Sequence, residues 1–234
     1  MPLAGQGVVA IWHDLTDAIK AEFYQWHNRE HMPERLGIPG FNRGRRYTAV
    51  SGAPAYFNLY EADSLEAVSG PAYLERLNHP TPWTQQTVQG FRNVSRSVCR
   101  VECSIGVGQG GVMLTVRFDA APEKSDALRR YLVSEVVPGL AKEPGVAGVH
   151  FCRADPSTSR IDTAEKKARA SATLVPNWIL MIEGVNQAFV EAARKLGASD
   201  HQLIAHGATA PIEAGTYFLE LEANSITKSI SARG

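Results

Sequence analysis

The strongest constraint on this chain is an internal repeat at an offset of about 105 residues. An apolar, strand-like run covers residues 7–14, and a second one covers residues 111–119. At the same offset, Pro33 recurs as Pro138, and the turn Pro39-Gly40 recurs as Pro144-Gly145. Self-similarity at a fixed period indicates repeated structural units. We therefore expect two diverged copies of one unit in a single chain.

Each copy has the pattern of strand, helix, strand, strand, helix and strand. This βαββαβ order is typical of the ferredoxin-like fold in the α+β class. A sheet with both helices on one face leaves its other face to be covered, and the second copy can cover it. The predicted elements lie at 8–13, 18–36, 41–50, 56–62, 65–77 and 91–104 in the first copy, and at 112–118, 125–142, 146–153, 178–185, 187–196 and 215–223 in the second.

These patterns divide the chain into a first unit, a linker and a second unit. The first unit covers residues 1–104 and the second covers 111–234, while the Gly-rich residues 105–110 connect them. The second unit carries an insertion at 154–176 that the first unit lacks. A long polar segment of this kind is expected to be an exposed and mobile loop, with a lid over a site as the alternative.

Charge and cysteine usage exclude several classes of protein. The chain has 24 Lys and Arg residues against 24 Asp and Glu residues, so neither nucleic acid nor membrane is an expected partner. Apolar runs are shorter than the roughly 20 residues of a membrane span, and the N-terminus lacks the pattern of a signal peptide. We expect a soluble, cytoplasmic protein. Cys99, Cys103 and Cys152 lack metal or redox spacing and are expected to be reduced and mostly buried.

One helix concentrates the residues that could carry chemistry. His27 and His31 lie one helical turn apart with Glu30 between them, so the two imidazoles share a face. The repeat places Leu132 and Val136 at the equivalent positions of the second unit, on an apolar stripe. Both histidines are therefore expected to point inward. The first unit is the expected place of an active site.

Three interpretations of the histidine pair stay open at the level of sequence. The imidazoles could hydrogen-bond Glu30 and the backbone in a structural role, or could act in general acid–base catalysis. The third is metal binding, because residues 27–31 match H-x-x-E-H, a zinc-protease pattern. That pattern requires a further acidic ligand on another helix and a larger fold. No metal is therefore expected.

The run W-H-x-x-E-H-x-P-E-R, followed by I-P-G-F and the Arg-rich strand at 44–47, resembles the dimeric α/β-barrel superfamily and, within it, the EthD-like group. The resemblance implies a tandem form in which two ferredoxin-like units place their sheets together as a barrel. Members include cyclases, cofactor-free monooxygenases, lactone isomerases and haem proteins. The resemblance therefore implies a small-molecule pocket more directly than it implies one reaction.

The expected function is cofactor-independent acid–base chemistry by a lyase, isomerase, cyclase or oxygenase on an aromatic or polyketide-like molecule. The alternative is a non-catalytic ligand-binding or stress-response module of the same fold. No cofactor is expected, and a homodimer is left open. The candidate catalytic residues are His27, His31 and Glu30. The candidate substrate-binding residues are Trp26, Arg46, Tyr47, Asn58 and Trp83.

Overall fold

Strands in this protein bury side chains on both of their faces, as in the all-buried segment Tyr56–Ala62. The computed structural model describes residues 2–169 and 172–225. Within them the strands are β1 Gly7–Leu15, β2 Phe41–Gly52, β3 Tyr56–Ala62, β4 Phe91–Gly106, β5 Val112–Ala120, β6 Val146–Ala154, β7 Thr173–Leu174, β8 Trp178–Gly184 and β9 Ala208–Asn224.

Apart from the two-residue β7, these strands pair antiparallel and close into an eight-stranded barrel over the described residues. The order around the barrel is β1, β3, β2, β9, β5, β8, β6, β4 and back to β1. The first unit contributes β4-β1-β3-β2 and the second contributes β9-β5-β8-β6, which is the same internal order. The units join edge to edge through β2–β9 and β4–β6, so each strand edge is paired. The predicted α+β barrel of two ferredoxin-like units is confirmed.

The helices pack on the outer face of the barrel, between the strands that the prediction required. In the first unit they are α1 Lys20–Trp26, a π-helical turn His27–His31, α2 Met32–Leu36, α3 Pro71–Asn78 and α4 Pro82–Val88. In the second they are α5 Ser125–Tyr131, a π-helical turn Leu132–Val136, α6 Val137–Leu140, α7 Pro156–Ser159, α8 Ala164–Ala168, α9 Gln187–Gly197 and α10 Asp200–Ala205. None of the described helices is long and apolar enough to cross a membrane.

Two kinds of buried layer follow from the alternation of side chains along the strands. The barrel interior holds an apolar and aromatic cluster that includes Trp12, Tyr47, Phe57 and Tyr217. Cys99 and Cys152 belong to the same cluster, and burial raises the pKa of the Cys152 thiol well above its usual range. Cys103 is partly buried, and all three cysteines are free thiols as expected. The outer layer lies between each sheet and its helices.

Charged side chains occupy the barrel interior where the two units meet. Arg45 is fully buried, and its guanidinium bonds both Glu61 at 2.8 Å and Glu183 at 2.9 Å. Arg43 also donates to Glu61, and His150 lies 3.4 Å from the other oxygen of Glu183. Burial opposes ionisation of Glu183, but hydrogen bonding to His150 and the charge of Arg45 outweigh it and lower its pKa to about 2. An ion-pair network thus links the units inside the barrel.

The insertion differs from the expected exposed loop. It contains α7, α8 and the short β7, which runs parallel to β4. Ser159, Thr163 and Glu165 are buried, and Ser159 exchanges hydrogen bonds with the backbone of Val98. The insertion is therefore not an exposed loop throughout, because Ser159 and Glu165 bond Val98 and Arg35 of the first unit. The division into units at residues 104 and 111 stays a prediction, since β4 continues to Gly106.

Candidate active site

A π-helical turn carries the two histidines. The backbone N–H of Met32 donates to the carbonyl of His27, five residues earlier, instead of to the carbonyl four residues earlier. The same turn recurs 105 residues later, where the N–H of Val137 donates to the carbonyl of Leu132. Such insertions in a helix are rare and often occur at functional sites. The turn is a shared property of both units, whereas the imidazoles belong to the first unit alone.

His27 has protein partners at both ring nitrogens. Its side chain is 2% exposed, and Arg46 Nη1 lies 3.2 Å from Nδ1 while Tyr60 Oη lies 3.2 Å from Nε2. A guanidinium can only donate, so Nδ1 is the acceptor and Nε2–H donates to the tyrosine oxygen. Burial, together with the nearby His31 and Arg46, lowers the pKa of His27 well below 6.5. His27 is therefore neutral and fixed in one tautomer.

Arg46 is itself held in place by three further groups. It donates to Asn28 at 2.7 Å and to Glu220 at 2.9 Å, and its guanidinium lies 4.6 Å from the centre of the Tyr24 ring. Glu220 comes from β9 of the second unit, so both units contribute to the support of His27. This arrangement gives His27 little freedom to rotate.

His31 is the less constrained imidazole. Its Nδ1 is buried and has no hydrogen-bond partner among the described residues. The ring packs against the Trp26 indole with centroids 4.3 Å apart, and its centroid lies 5.6 Å from that of His27. Burial, followed by the charges of Arg35 and Arg169, lowers the pKa of His31 well below 6.5. His31 is thus a neutral imidazole with a nitrogen free to exchange a proton.

Glu30 does not pair with either histidine. Its Oε1 accepts hydrogen bonds from the hydroxyls of Thr81 at 2.5 Å and Thr84 at 3.2 Å. The predicted contact between Glu30 and an imidazole is therefore wrong. In the helix, Glu30 projects to the side of α4, where two threonines satisfy its carboxylate, and not toward the sheet. This contact anchors α4 to the histidine-bearing helix.

The predicted substrate-binding residues fall into two groups. Trp26 and Asn58 line a cavity beside the histidines, and Arg46 reaches it through His27. Tyr47 instead points into the barrel interior and packs on Phe57 at 5.5 Å, because neighbouring residues on a strand face opposite sides. Trp83 lies outside the cavity, where its indole N–H donates to Glu22 at 2.6 Å. The structure therefore does not bring Tyr47 or Trp83 to the histidines.

Several residues at this site carried no clear signal in the sequence. Tyr60 bonds His27, and Asn58 donates to Nε2 of His13 at 3.0 Å. Burial lowers the pKa of His13 to about 3. The alternation of Tyr56, Asn58 and Tyr60 on one strand face pointed to this side of β3. Only the fold could bring Glu165 and Arg169 of the insertion to the same cavity.

The cavity is small and closed. Its volume is about 20 Å³, which is room for about one water molecule. Buried atoms without hydrogen-bond partners among its lining residues are His31 Nδ1, Asn58 Oδ1 and Arg169 Nε. A larger cavity of about 690 Å³ lies where β4 meets β6 and does not touch the histidines. Of these two cavities, the small one alone is lined by histidines and by several buried polar atoms without partners among the described residues.

Insertion residues close the small cavity. Glu165 accepts from Arg35 with one carboxylate oxygen, and its other oxygen accepts from Arg169 at 3.1 Å. The side chains of Arg35, Glu165 and Arg169 are almost fully buried. Among the described residues, no group of three or more His, Cys, Asp or Glu side chains has the arrangement of a metal site.

Comparison with known proteins supports the fold. No family model matches the sequence, and no curated protein sequence matches it. An anthrone oxidase-like protein is similar in structure with a TM-score of 0.64 at 13% identity, covering 97% of this chain and 95% of that one. A putative monooxygenase from Fusobacterium nucleatum has a TM-score of 0.59 at 10% identity, with 95% and 96% covered.

A third similar structure is an uncharacterised ferredoxin-fold protein from Listeria monocytogenes, described as related to antibiotic biosynthesis monooxygenases. Its TM-score is 0.51 at 12% identity, with 94% of this chain and 97% of that one covered. Identities this low carry information on the fold alone. The chain has a ferredoxin-like α+β barrel fold.

Proposed function

We propose that this protein is a cofactor-independent enzyme that removes a proton from an aromatic or polyketide-like small molecule, with His31 as the base. The observation that carries the proposal is the buried, unpartnered Nδ1 of His31 beside the cavity. A base must be neutral and must have a free lone pair, and His31 would meet both requirements in the tautomer that carries its proton on Nε2. The choice between the two histidines falls on His31 because both nitrogens of His27 are occupied.

His27 and Tyr60 would stabilise the oxygen that gains negative charge. Tyr60 Oη accepts from His27 Nε2, so the tyrosine retains its own proton for donation to a substrate oxygen. Burial raises the pKa of Tyr60 well above its usual value, which keeps the hydroxyl protonated. Preorganised donors of this kind are the main way in which enzymes stabilise an enolate or phenolate. Arg46 positions His27 and would act through it.

Arg169 would supply positive charge to the same oxygen. Its side chain is 4% exposed, and its Nε has no partner among the described residues. Burial lowers the pKa of this guanidinium, which reflects a charge that is only partly compensated by Glu165. An anionic substrate oxygen would complete its hydrogen bonding. We therefore extend the site to the insertion, in line with the lid alternative.

Substrate entry would require the insertion to move. A cavity of about 20 Å³ cannot hold an aromatic molecule, for which sites of about 300–1,000 Å³ are usual. Displacement of α8 with Glu165 and Arg169 would open the face above His31. Closure would then exclude water from the reacting atoms. The aromatic substrate class is proposed by analogy with the anthrone oxidase-like protein of the same fold.

A non-catalytic binding protein of the same fold is the second candidate. The closed cavity and the fully bonded His27 favour it, because a structural imidazole has partners at both nitrogens. In that case the pocket would hold a ligand without proton transfer. Binding would survive the loss of His31, whereas catalysis would not.

Deuterium exchange at the acidic C–H of anthrone in deuterated buffer tests the proposal directly. Wild-type protein should speed exchange above the buffer rate, His31→Val should return it to the buffer rate, and Gln25→Ala, an exposed position on the same helix, should not change it. Binding of anthrone without faster exchange in the wild type would favour the second candidate. Equal exchange by the wild type and His31→Val would remove His31 as the base.

A further inference from the structure

A cavity of about 690 Å³ forms a groove on the outer face of the barrel, where β4 of the first unit meets β6 of the second. It lies over β4, β6 and the start of β8, and α7 of the insertion forms one side. Arg100, Arg153 and Arg160 line it together with Trp178. Its volume falls in the range of sites for small molecules, about 300–1,000 Å³. None of the histidine-site residues contributes to it.

Two arginines of the groove face each other across neighbouring strands. Arg100 of β4 and Arg153 of β6 are direct partners in the antiparallel register. Like charges in directly opposed positions destabilise a sheet unless a counter-charge is present. Arg153 has such a partner, since its Nε donates to Glu102 at 2.8 Å and its guanidinium lies 5.5 Å from the centre of the Trp178 ring. Arg100 has none.

The acidic side chains near the groove are already engaged. The second oxygen of Glu102 accepts from Arg129 at 2.6 Å. Asp119 accepts from Asn177 at 2.6 Å, and Asp155 caps α7 by accepting from the backbone N–H of Thr158 at 2.9 Å. The lining of the groove thus has three arginines and three carboxylates, but none of these carboxylates pairs with Arg100 or Arg160 among the described residues.

Arg100 and Arg160 are the two guanidiniums left over. Neither makes a side-chain hydrogen bond or an ion pair with any residue in the described parts of the chain. Hydrogen bonds and, to a smaller extent, the charge of Arg100 lower the pKa of the exposed Glu66. A guanidinium presents a planar fork of donors that matches a carboxylate or phosphate group. Two such forks beside a groove, with a third arginine held between Glu102 and Trp178, form a binding surface for a group with two negative charges.

We propose that this groove binds a small molecule with a dianionic head group, held between Arg100 and Arg160. A phosphate monoester and an aromatic dicarboxylate share this chemistry. The head group would offset the repulsion between Arg100 and Arg153 and would complete the hydrogen bonding of Arg160. The proposal concerns a second site and does not depend on proton transfer by His31.

Isothermal titration of the whole chain at low salt, with inorganic phosphate and separately with phthalate, tests this site. One saturable site is expected for at least one of the two probes. Arg100→Ala and Arg160→Ala should each weaken binding about tenfold or more, because each removes a charged hydrogen-bonding group. Arg130→Ala is the matched control, since Arg130 is an exposed arginine outside the groove without a side-chain ion pair. Its affinity should match the wild type.

The two probes also separate the sources of the anion. Saturable binding of phosphate alone assigns a phosphorylated ligand, and saturable binding of phthalate alone assigns a carboxylate ligand. Absence of saturation with both probes overturns the proposal. Equal losses in Arg130→Ala and the two groove variants would also overturn it, because they would show diffuse attraction of anions to the whole surface.

Discussion

Glu165 in the insertion accepts a hydrogen bond from Arg35, which lies 130 residues earlier at the end of the histidine-bearing helix. Both side chains are almost fully buried, with 3% of Arg35 and 6% of Glu165 exposed. The pair joins the insertion of the second unit to the candidate active site of the first. Arg169 donates to the other oxygen of the same carboxylate, so one glutamate accepts hydrogen bonds from two buried guanidiniums. We regard this contact as the one that holds the insertion over the candidate active site.

Replacement of Glu165 by Gln should therefore destabilise the protein. The change leaves the buried Arg169 without its counter-charge and Arg35 with only Glu34 at 3.4 Å, a loss of about 3–5 kcal/mol in the free energy of unfolding. Chemical denaturation measures it, and limited proteolysis should show faster cleavage within the insertion. Asp162→Asn is the control, because Asp162 pairs with Lys166 at an exposed position, where the loss of an ion pair has little effect on stability. Equal stability of the two variants would contradict a closed insertion.

The histidine-bearing helix shows what the sequence could predict. The comparison with Leu132 and Val136 indicated two inward imidazoles, and His27 and His31 are buried as those residues are. The recurrence of Pro33 as Pro138 reflects a shared helix with the same π-helical turn. These features follow from local periodicity, and both copies of the repeat show the same periodicity.

Other features of the site depend on contacts that periodicity cannot supply. Glu30 turned to Thr81 and Thr84 because α4 packs beside it, and no pattern predicts which neighbour a half-buried carboxylate meets. Arg169 lies far along the chain in a segment that has no counterpart in the first unit. Tyr47 is different, since its adjacency to Arg46 already placed it on the opposite face of the strand. The strand period excludes that residue from the site.

The two histidines should differ in their contribution to stability. His27→Leu removes the partner of Arg46 and of Tyr60 and should cost about 1–3 kcal/mol in the free energy of unfolding. His31→Val removes no hydrogen bond and should cost less, about 1 kcal/mol, from lost packing on Trp26. Urea denaturation of both variants measures the difference. A larger loss in His31→Val than in His27→Leu would contradict the assignment of roles.

Stability should fall as the pH falls below 6.5. Burial lowers the pKa of His13 to about 3 and holds those of His27, His31 and His150 below 6.5. The folded state therefore keeps these imidazoles neutral while the unfolded state takes up protons. The contribution to stability is complete above pH 6.5 and is lost progressively below it, by up to about 1.4 kcal/mol per histidine and pH unit.

Denaturation at about pH 7.5 and pH 5.5 measures this loss in a range above the titration of carboxylates. His31→Val should reduce the slope, since it removes one of the four buried imidazoles. A flat profile over this range in the wild type would contradict burial of neutral histidines. An unchanged slope in the variant would place His31 in a solvated setting.

Zinc should be absent from the purified protein in stoichiometric amount. In the H-x-x-E-H segment, Glu30 faces two threonines and both nitrogens of His27 are engaged, so the segment offers no preformed set of ligands. A structural or catalytic zinc requires at least three firm protein ligands. Elemental analysis of protein prepared without a chelator or His-tag should give far below one zinc per chain. About one zinc per chain would restore the metal interpretation.

Arg45 should be the arginine whose replacement costs most stability in the barrel. Its guanidinium bonds Glu61 of the first unit and Glu183 of the second, and its side chain is fully buried. Arg45→Leu would leave two buried carboxylates facing each other, with a loss of about 3–5 kcal/mol or more in the free energy of unfolding. The double variant with Glu183→Leu should recover much of that loss, because Glu61 then keeps Arg43 as its counter-charge and no uncompensated charge remains. Chemical denaturation of both variants measures this recovery. A double variant less stable than Arg45→Leu would mean that the network sets the pairing of the two units by more than charge balance.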